Sequence, residues 1–262
     1  MDIPHALTIA GSDSGGGAGI QADIKTFSAQ GVYAASVITS VTAQNTTAVF
    51  GVHDLPPDFV AAQIDAVMSD IRIDAVKVGM LSTPGIIFAV ASQLKKWEPG
   101  IVVLDPVMLS KSGCKLLHDD AIEALRASLM PLATLITPNV PEAEQLTGLV
   151  IDTREDMEAA GRKLLSLGVN AALIKGGHCE DHSDDLLASR NGLLWLPGKR
   201  IMARNTHGTG CTLSSAIAAF MAKGESLADA CSKAKDYVRR TIEADLQIGR
   251  GSGPLHHFVD WY

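Results

Sequence analysis

The chain has 262 residues, 47% of them hydrophobic and 19% charged, with a net charge of −7. That length is one large domain or two small ones, and the apolar content is enough for a sizeable core, which excludes a largely disordered chain. The acidic balance and the lack of a Lys/Arg cluster argue against a nucleic-acid binder. They leave room for an anionic small molecule, because backbone amides and metal ions can reverse the local field.

HALTIAG (5–11) reads as a buried strand, and GIQADIKTFSAQG (19–31) as a helix with Ile20, Ile24 and Phe27 on one face and Gly31 as its stop. SVITSV (36–41) is a second strand, and 58–71 a helix with Phe59, Ile64, Val67, Met68 and Ile71 as its apolar residues. Strands are expected at 75–79, 101–105, 134–138 and 171–177, and helices at 84–97, 119–130, 153–167, 210–223 and 226–247. Residues 185–201 read as a β-hairpin around Asn191-Gly192. This alternation predicts one α/β domain over 1–262, with a mostly parallel central sheet and helices on both faces; no linker, repeat or low-complexity tract divides it.

Residues 26–53 carry no Asp, Glu, Lys or Arg but many Thr, Ser, Gln and Asn, as a half-polar buried region would and a membrane span would not. The N-terminal MDIPHALTIAG has no basic region followed by a long apolar core, so no signal peptide is expected. The cysteines, Cys114, Cys179, Cys211 and Cys231, form no CxxC pair, which points to a reducing, cytoplasmic setting.

The polar and Gly-rich segments follow the strands, at the carboxyl ends where open α/β sheets bind ligands. GSDSGGGAG after the first strand fits neither the P-loop nor the dinucleotide fingerprint. It is either a tight turn or a place where a ligand meets bare backbone. Asp13 and Asp23 bracket it, either to bind a substrate amine or hydroxyl, or as a turn cap and a solvated first-turn carboxylate.

In TPNVPEAE, Asn139 and Glu142 stand three apart at a helix start. They suit hydrated Mg²⁺ beside phosphates, or an ordinary capping pair. In HGTGC (207–211), Gly208, Thr209 and Gly210 open an apolar helix, so free amides and the helix dipole can surround an anion. Cys211 at that helix start is expected to have a lowered pKa and to be able to accept a hydroxyl proton, unless it is a buried structural thiol. A cysteine hydrolase with His207 as base is disfavoured, since four positions in a Gly-rich loop are poor triad geometry.

Lys175 in KGGH can hold phosphate as a mobile cation. His178, Cys179 and His182 resemble metal spacing only loosely and read more simply as an acidic loop, and His256-His257 as local packing or surface. Asp105 ends a strand before Ser110, Lys111, Ser112 and Gly113, a composition suited to a lid over ATP or to a plain surface loop.

Taken together, LTIAGSDSGGGAGIQADIKTF, VTAQNT, KVGML, LDPVMLSKSG, LITPNVPEAE, IKGGH, NTHGTGCTLSSAIAA and GSGPLHHF resemble the hydroxymethylpyrimidine/phosphomethylpyrimidine kinases of thiamin biosynthesis, in the ribokinase-like superfamily. The motifs run in order from residue 7 to residue 258. The resemblance implies a three-layer ribokinase-like fold, ATP as co-substrate, Mg²⁺, and a homodimer. It implies that Gln44 reads the aminopyrimidine edge, with Gly11, Asp23, Met80 and Val107 around the ring. Asn139 and Glu142 would serve Mg²⁺ and phosphate, with Lys175 and Asp105 beside the nucleotide. Gly208, Thr209 and Gly210 would form the anion hole, and Cys211 would stand where sugar kinases of the superfamily carry a catalytic Asp. A pyridoxal kinase is the nearest alternative; some members acting on pyridoxal have a second lid cysteine where this chain has Ser110. A non-catalytic pyrimidine sensor would be expected to have lost one of Asn139, Glu142, Gly208, Gly210 or Cys211.

Overall fold

A computed structural model describes residues 3–108, 119–177 and 183–262. One nine-stranded sheet runs through it in the order β3-β2-β1-β4-β5-β6-β7-β8-β9. The strands are β1 (His5–Asp13), β2 (Tyr33–Gln44), β3 (Val49–Asp54), β4 (Ala75–Val78), β5 (Val102–Leu104), β6 (Leu135–Ile136), β7 (Ala171–Ile174), β8 (Asp185–Ser189) and β9 (Gly192–Leu196). From β2 to β7 neighbouring strands are parallel; β3, β8 and β9 join antiparallel at the two margins. The helices are α1 (Gly19–Ala29), α2 (Pro57–Met68), α3 (Pro84–Trp97), α4 (Asp119–Ala124), α5 (Val140–Thr147), α6 (Arg154–Ser166), α7 (Thr209–Ala222) and α8 (Leu227–Glu243).

The period-two rule for strands sorts the core into two layers. Leu7, Ile9, Val76, Val78, Leu104 and Ile174 face one side, packing against α2 to α6 through residues such as Ile64, Ile86, Leu146 and Leu164. Their neighbours Ala6, Ala75, Val103, Ala171 and Leu173 face the other side, against α1, α7 and α8. Alanines at three of those positions let α7 lie close to the sheet. α7 meets it with small residues of its own, Ala216, Ala218 and Ala219, all fully buried. An α7 buried on nearly every side needs no polar face, which is why its sequence is apolar all round.

The structure differs from the sequence reading in three places. β3 was not expected: four of its six residues are exposed, so the strand lacks the apolar alternation that marks a half-buried one. The helix expected over 119–130 ends at Ala124 and passes through a π-helical turn (Leu125–Leu129) into a 3₁₀ turn (Met130–Leu132), because Pro131 cannot supply an amide to continue it. Phe59 faces solvent, and Val60 and Ile64 carry the buried side of α2.

Candidate active site

The Gly-rich loop after β1 is built around one carboxylate. Asp13 Oδ1 accepts the Gly15 N–H at 2.8 Å, and Oδ2 accepts those of Gly17 and Ala18 at 3.0 and 2.9 Å. Asp13 is therefore the cap of the turn. Burial opposes its charge, but His207 and these amides outweigh that and hold its pKa below the usual carboxylate value. The glycines are needed for close approach. A Cβ on Gly19 would stand 2.2 Å from the Gly11 carbonyl oxygen, and one on Gly208 would stand 1.8 Å from that of Gly17. Gly208 also has φ +83°, and it opens α7. The loop after β1 and the start of α7 thus touch backbone to backbone.

Below this contact lies a buried ion pair. Lys77 Nζ, on β4, is 2.9 Å from both carboxylate oxygens of Asp23, on α1, and neither side chain is exposed. Thr8 Oγ1 donates to Asp23 Oδ2 at 2.6 Å, and Ser215 Oγ to Oδ1 at 2.6 Å. With both oxygens committed and the side chain fully buried, Asp23 is not the solvated carboxylate that its place in a first turn suggested. Lys77 went unremarked in the sequence, although a lysine inside the apolar strand AVKV was the available signal.

Cys211 sits one helical turn above Ser215, with the Gly19 N–H directed at its sulfur. The expected lowering of its pKa does not occur. Burial pushes the thiol up to about 11, Asp23 and Asp105 push the same way, and Lys77 and the Gly19 amide offset only part. The helix start alone is too weak to overcome desolvation here.

The phosphate-facing candidates converge at the ends of β5, β6 and β7. Lys175 Nζ is 3.2 Å from Asp105 Oδ1 and 3.9 Å from Glu142 Oε2. Asp105 also accepts from Thr137 and Ser214. A Cβ on Gly210 would come within 3.4 Å of Lys175 Nζ and 3.7 Å of Asp105 Oδ2, which sets the α7 start against this cluster. Burial works against the charge of Lys175, but Asp105 and Glu142 more than offset it and raise its pKa. Burial raises the pKa of Glu142, and Asp105 adds to that, against Lys175 and the amides of Asn139 and Met108. Asn139 and Glu142 form a reciprocal capping box on α5, with bonds of 2.9 and 2.8 Å. Among the described residues no three metal-ligating side chains converge. The donor set, two carboxylates beside one lysine, fits a hydrated Mg²⁺ that arrives with its nucleotide.

Gln44 ends β2 at a register shift, a device that re-aims a side chain. Ser14 Oγ bonds both its backbone groups at 2.8 Å. Its amide nitrogen lies 3.2 Å from His207 Nε2, which lies 2.8 Å from Asp13 Oδ2. A cavity of about 290 Å³ opens here, lined by Gln44, Asn45, Thr46, Ala48, His207 and Ser252 among others. Gly11, Met80 and Val107 are not among its lining residues. Gly11 and Met80 meet one another: a Cβ on Gly11 would be 3.1 Å from Met80 Sδ. Val107 follows Asp105, whose carbonyl its N–H meets at 2.8 Å.

Ser110, Lys111, Ser112, Gly113, Cys114, His178, Cys179 and His182 lie outside the described residues. His257 is buried and its Nε2 is 3.1 Å from Thr212 Oγ1.

Comparison with known proteins places this geometry. The family described as phosphomethylpyrimidine kinase matches residues 13–256. A hydroxymethylpyrimidine/phosphomethylpyrimidine kinase of Escherichia coli is 50% identical, over 98% of each chain. A thiamine biosynthesis bifunctional protein of Geobacter sulfurreducens is 48% identical over 97% of this chain and 52% of its own. Among solved structures, an ADP complex of Bacillus subtilis pyridoxal kinase superposes with a TM-score of 0.91 at 37% identity, over 98% of each chain.

Proposed function

The chain belongs to the phosphomethylpyrimidine kinase family, and we infer its working from the site that family membership points to. It is an ATP-dependent kinase of thiamine biosynthesis. It phosphorylates 4-amino-5-hydroxymethyl-2-methylpyrimidine to the monophosphate and then to the diphosphate. What most supports a phosphoryl-transfer site is the joint position of Lys175, Asp105 and Glu142 against the amide end of α7.

In this reading ATP enters with Mg²⁺, whose charge offsets that of the phosphates, and the substrate hydroxyl attacks the γ-phosphoryl group in line. Lys175 holds the phosphates, and Asp105 and Glu142 hold Lys175 charged and, with Asn139, face the hydrated ion. The first-turn amides of α7 at Gly210 and Cys211 lack intrahelical acceptors and are directed at the moving group; the Thr209 N–H donates to Thr206 O at 3.4 Å and holds the turn that Gly208 opens. Gly11, Met80 and Val107 surround the ring and Gln44 reads its edge. A thiol with a pKa of about 11 is only about one part in 10⁴ ionised at neutral pH. Cys211 therefore serves chiefly to orient the hydroxyl, whose proton leaves late in a loose transition state.

The finer assignments extend this reading. The whole chain works as one kinase domain in the cytoplasm; no helix among the described residues is long and apolar enough to cross a membrane. It pairs with a second copy through the β3 edge, where Phe50 and Val52 stand exposed. A monomer at micromolar concentration in sedimentation equilibrium would exclude that pairing.

The deciding experiment incubates the protein with ATP, Mg²⁺ and either the hydroxymethylpyrimidine or pyridoxal, and separates the products by chromatography. Pyrimidine monophosphate followed by diphosphate is expected. Pyridoxal phosphate without pyrimidine products would move the assignment to vitamin B6 salvage, the less supported alternative.

A further inference from the structure

His207 belongs to no role assigned above, yet it is the most constrained side chain at the Gln44 cavity. Its backbone N–H donates to Gly253 O at 3.1 Å. Its ring packs against Gly17, where an added Cβ would stand 2.5 Å from Cδ2. The side chain is 12% exposed and that of Asp13 is 4% exposed.

The hydrogen-bond inventory around the ring has one consistent solution. Asp13 Oδ2 already accepts from Gly17 and Ala18, and His207 Nε2 lies 2.8 Å from the same oxygen. An ionised carboxylate only accepts, so Nε2 must carry a hydrogen, whether the ring is neutral or charged. Gln44 Nε2, 3.2 Å from that nitrogen, would then set N–H against N–H. At the other end of the amide, Thr42 Oγ1 lies 3.0 Å from Ser12 O and 3.3 Å from Gln44 Oε1. Its single hydrogen goes to the carbonyl of Ser12, the closer acceptor, which leaves lone pair facing lone pair at Gln44. Turning the amide over resolves both conflicts at once. Oε1 then shares the Nε2–H of His207, and the NH₂ group donates to Thr42 Oγ1. The oxygen and nitrogen of such an amide are assigned from the network around them.

We propose that His207, locked by Asp13, is a positioning residue for ring recognition, which fixes Gln44 with its carbonyl on the histidine and its NH₂ on Thr42. Gln44 is left with one lone pair and one N–H in a fixed order. That order matches a ring edge with an exocyclic amino donor beside a ring-nitrogen acceptor, and it mismatches a ring that lacks the amino group. The inference rests on Gln44 being the ring-reading residue.

Steady-state kinetics of the full chain with MgATP and the hydroxymethylpyrimidine test it, using Gln44→Ala, His207→Ala, His207→Gln and the Gln44→Ala/His207→Ala double variant. His207→Ala should raise the pyrimidine KM about tenfold, the scale of one net hydrogen bond. The KM for ATP should hold, and kcat should move by no more than about twofold. His207→Gln, which keeps a donor at the reach of Nε2, should recover most of the loss. In the Gln44→Ala background, removing His207 should add almost nothing. An undiminished His207→Ala effect in that background would overturn the proposal, as would parallel losses in kcat and ATP KM. So would an unchanged KM in His207→Ala beside a raised KM in Gln44→Ala. If Gln44→Ala itself leaves the pyrimidine KM unchanged, the ring-reading role of Gln44 is what fails, and the proposal falls with it.

Discussion

Lys77 and Asp23 form a fully buried ion pair that Ser215, one helical turn from Cys211, also bonds, with Lys77 Nζ equidistant, at 2.9 Å, from both carboxylate oxygens. Burial alone would neutralise such a lysine. Asp23, with Asp105 behind it, keeps it charged and raises its pKa above the ordinary value. Lys77→Met leaves Asp23 uncompensated in the core and should destabilise the fold by about 3–5 kcal/mol. Adding Asp23→Leu should recover much of that loss. Urea unfolding of the two variants measures it, and a Lys77→Met protein as stable as the parent would show that the pair contributes nothing.

Cys211 should behave as a weakly reactive thiol, although it is only half-buried. At pH 7.5 alkylation of this residue by iodoacetamide, followed by mass spectrometry of the peptide, should be much slower than for a free cysteine, because the thiolate is scarce at a pKa of about 11. Cys211→Ala should lower kcat by roughly 10²-fold through lost orientation. Plots of log kcat against pH should stay flat from pH 7 to 9. A rise of one log unit per pH unit, absent in Cys211→Ala, would instead establish the thiolate as an obligatory base.

Two glycines two residues apart should fail in different ways. Gly208→Ala meets the Gly17 carbonyl at 1.8 Å with φ at +83°, and should cost more than about 3 kcal/mol in stability. Gly210→Ala places its methyl 3.4 Å from Lys175 Nζ, which leaves the fold intact. It narrows the space for a phosphate, so kcat should fall by about 10–10²-fold. Thermal melts and turnover, measured on both, separate the two effects; equal melting temperatures would contradict the assignment.

His257 ties stability to acidity. Burial lowers its pKa to about 4, and Lys25 and His256 add to that. A group whose folded pKa lies below its unfolded value of about 6.5 stabilises the fold above 6.5, and that stability is lost as pH falls toward 4. The contribution amounts to about 3 kcal/mol at most. Carboxylates titrate in the same window, so the measurement is a comparison: the drop in unfolding free energy from pH 7.5 to 5 should be smaller in His257→Gln than in the parent. Parallel curves would remove His257 from the account.

The parallel core of the fold was legible because buried strands and amphipathic helices leave periodic traces, as in HALTIAG and in α6. β3 left none, since its pairing is made by backbone hydrogen bonds at an exposed edge. The site was legible at the level of its motifs. Glycines and caps reveal where backbone must bend, and Lys175, Asp105, Glu142 and Gly210, each singled out in its own motif, lie together in the structure. Side-chain pairings across long sequence separations were not. Nothing in the string shows that Lys77 meets Asp23, 54 residues away, or that His207 meets Asp13, 194 residues away. The shift at Cys211 has the opposite sign to the sequence expectation for a related reason: a helix start is visible in sequence, whereas the burial around it is a property of the assembled fold.

The contact between Gly17 and Gly208 has a consequence for biosynthesis. The loop after β1 and the start of α7 are made far apart in translation, and they meet with no space for a methyl group between them. Loop closure over that distance comes late, after the sheet that spans it has ordered. A nascent chain that ends before α7 carries every strand of the sheet but not the helix start that meets Gly17. Catalytic competence is then the last property the molecule acquires on folding, and the first it surrenders when its C-terminal layer loosens.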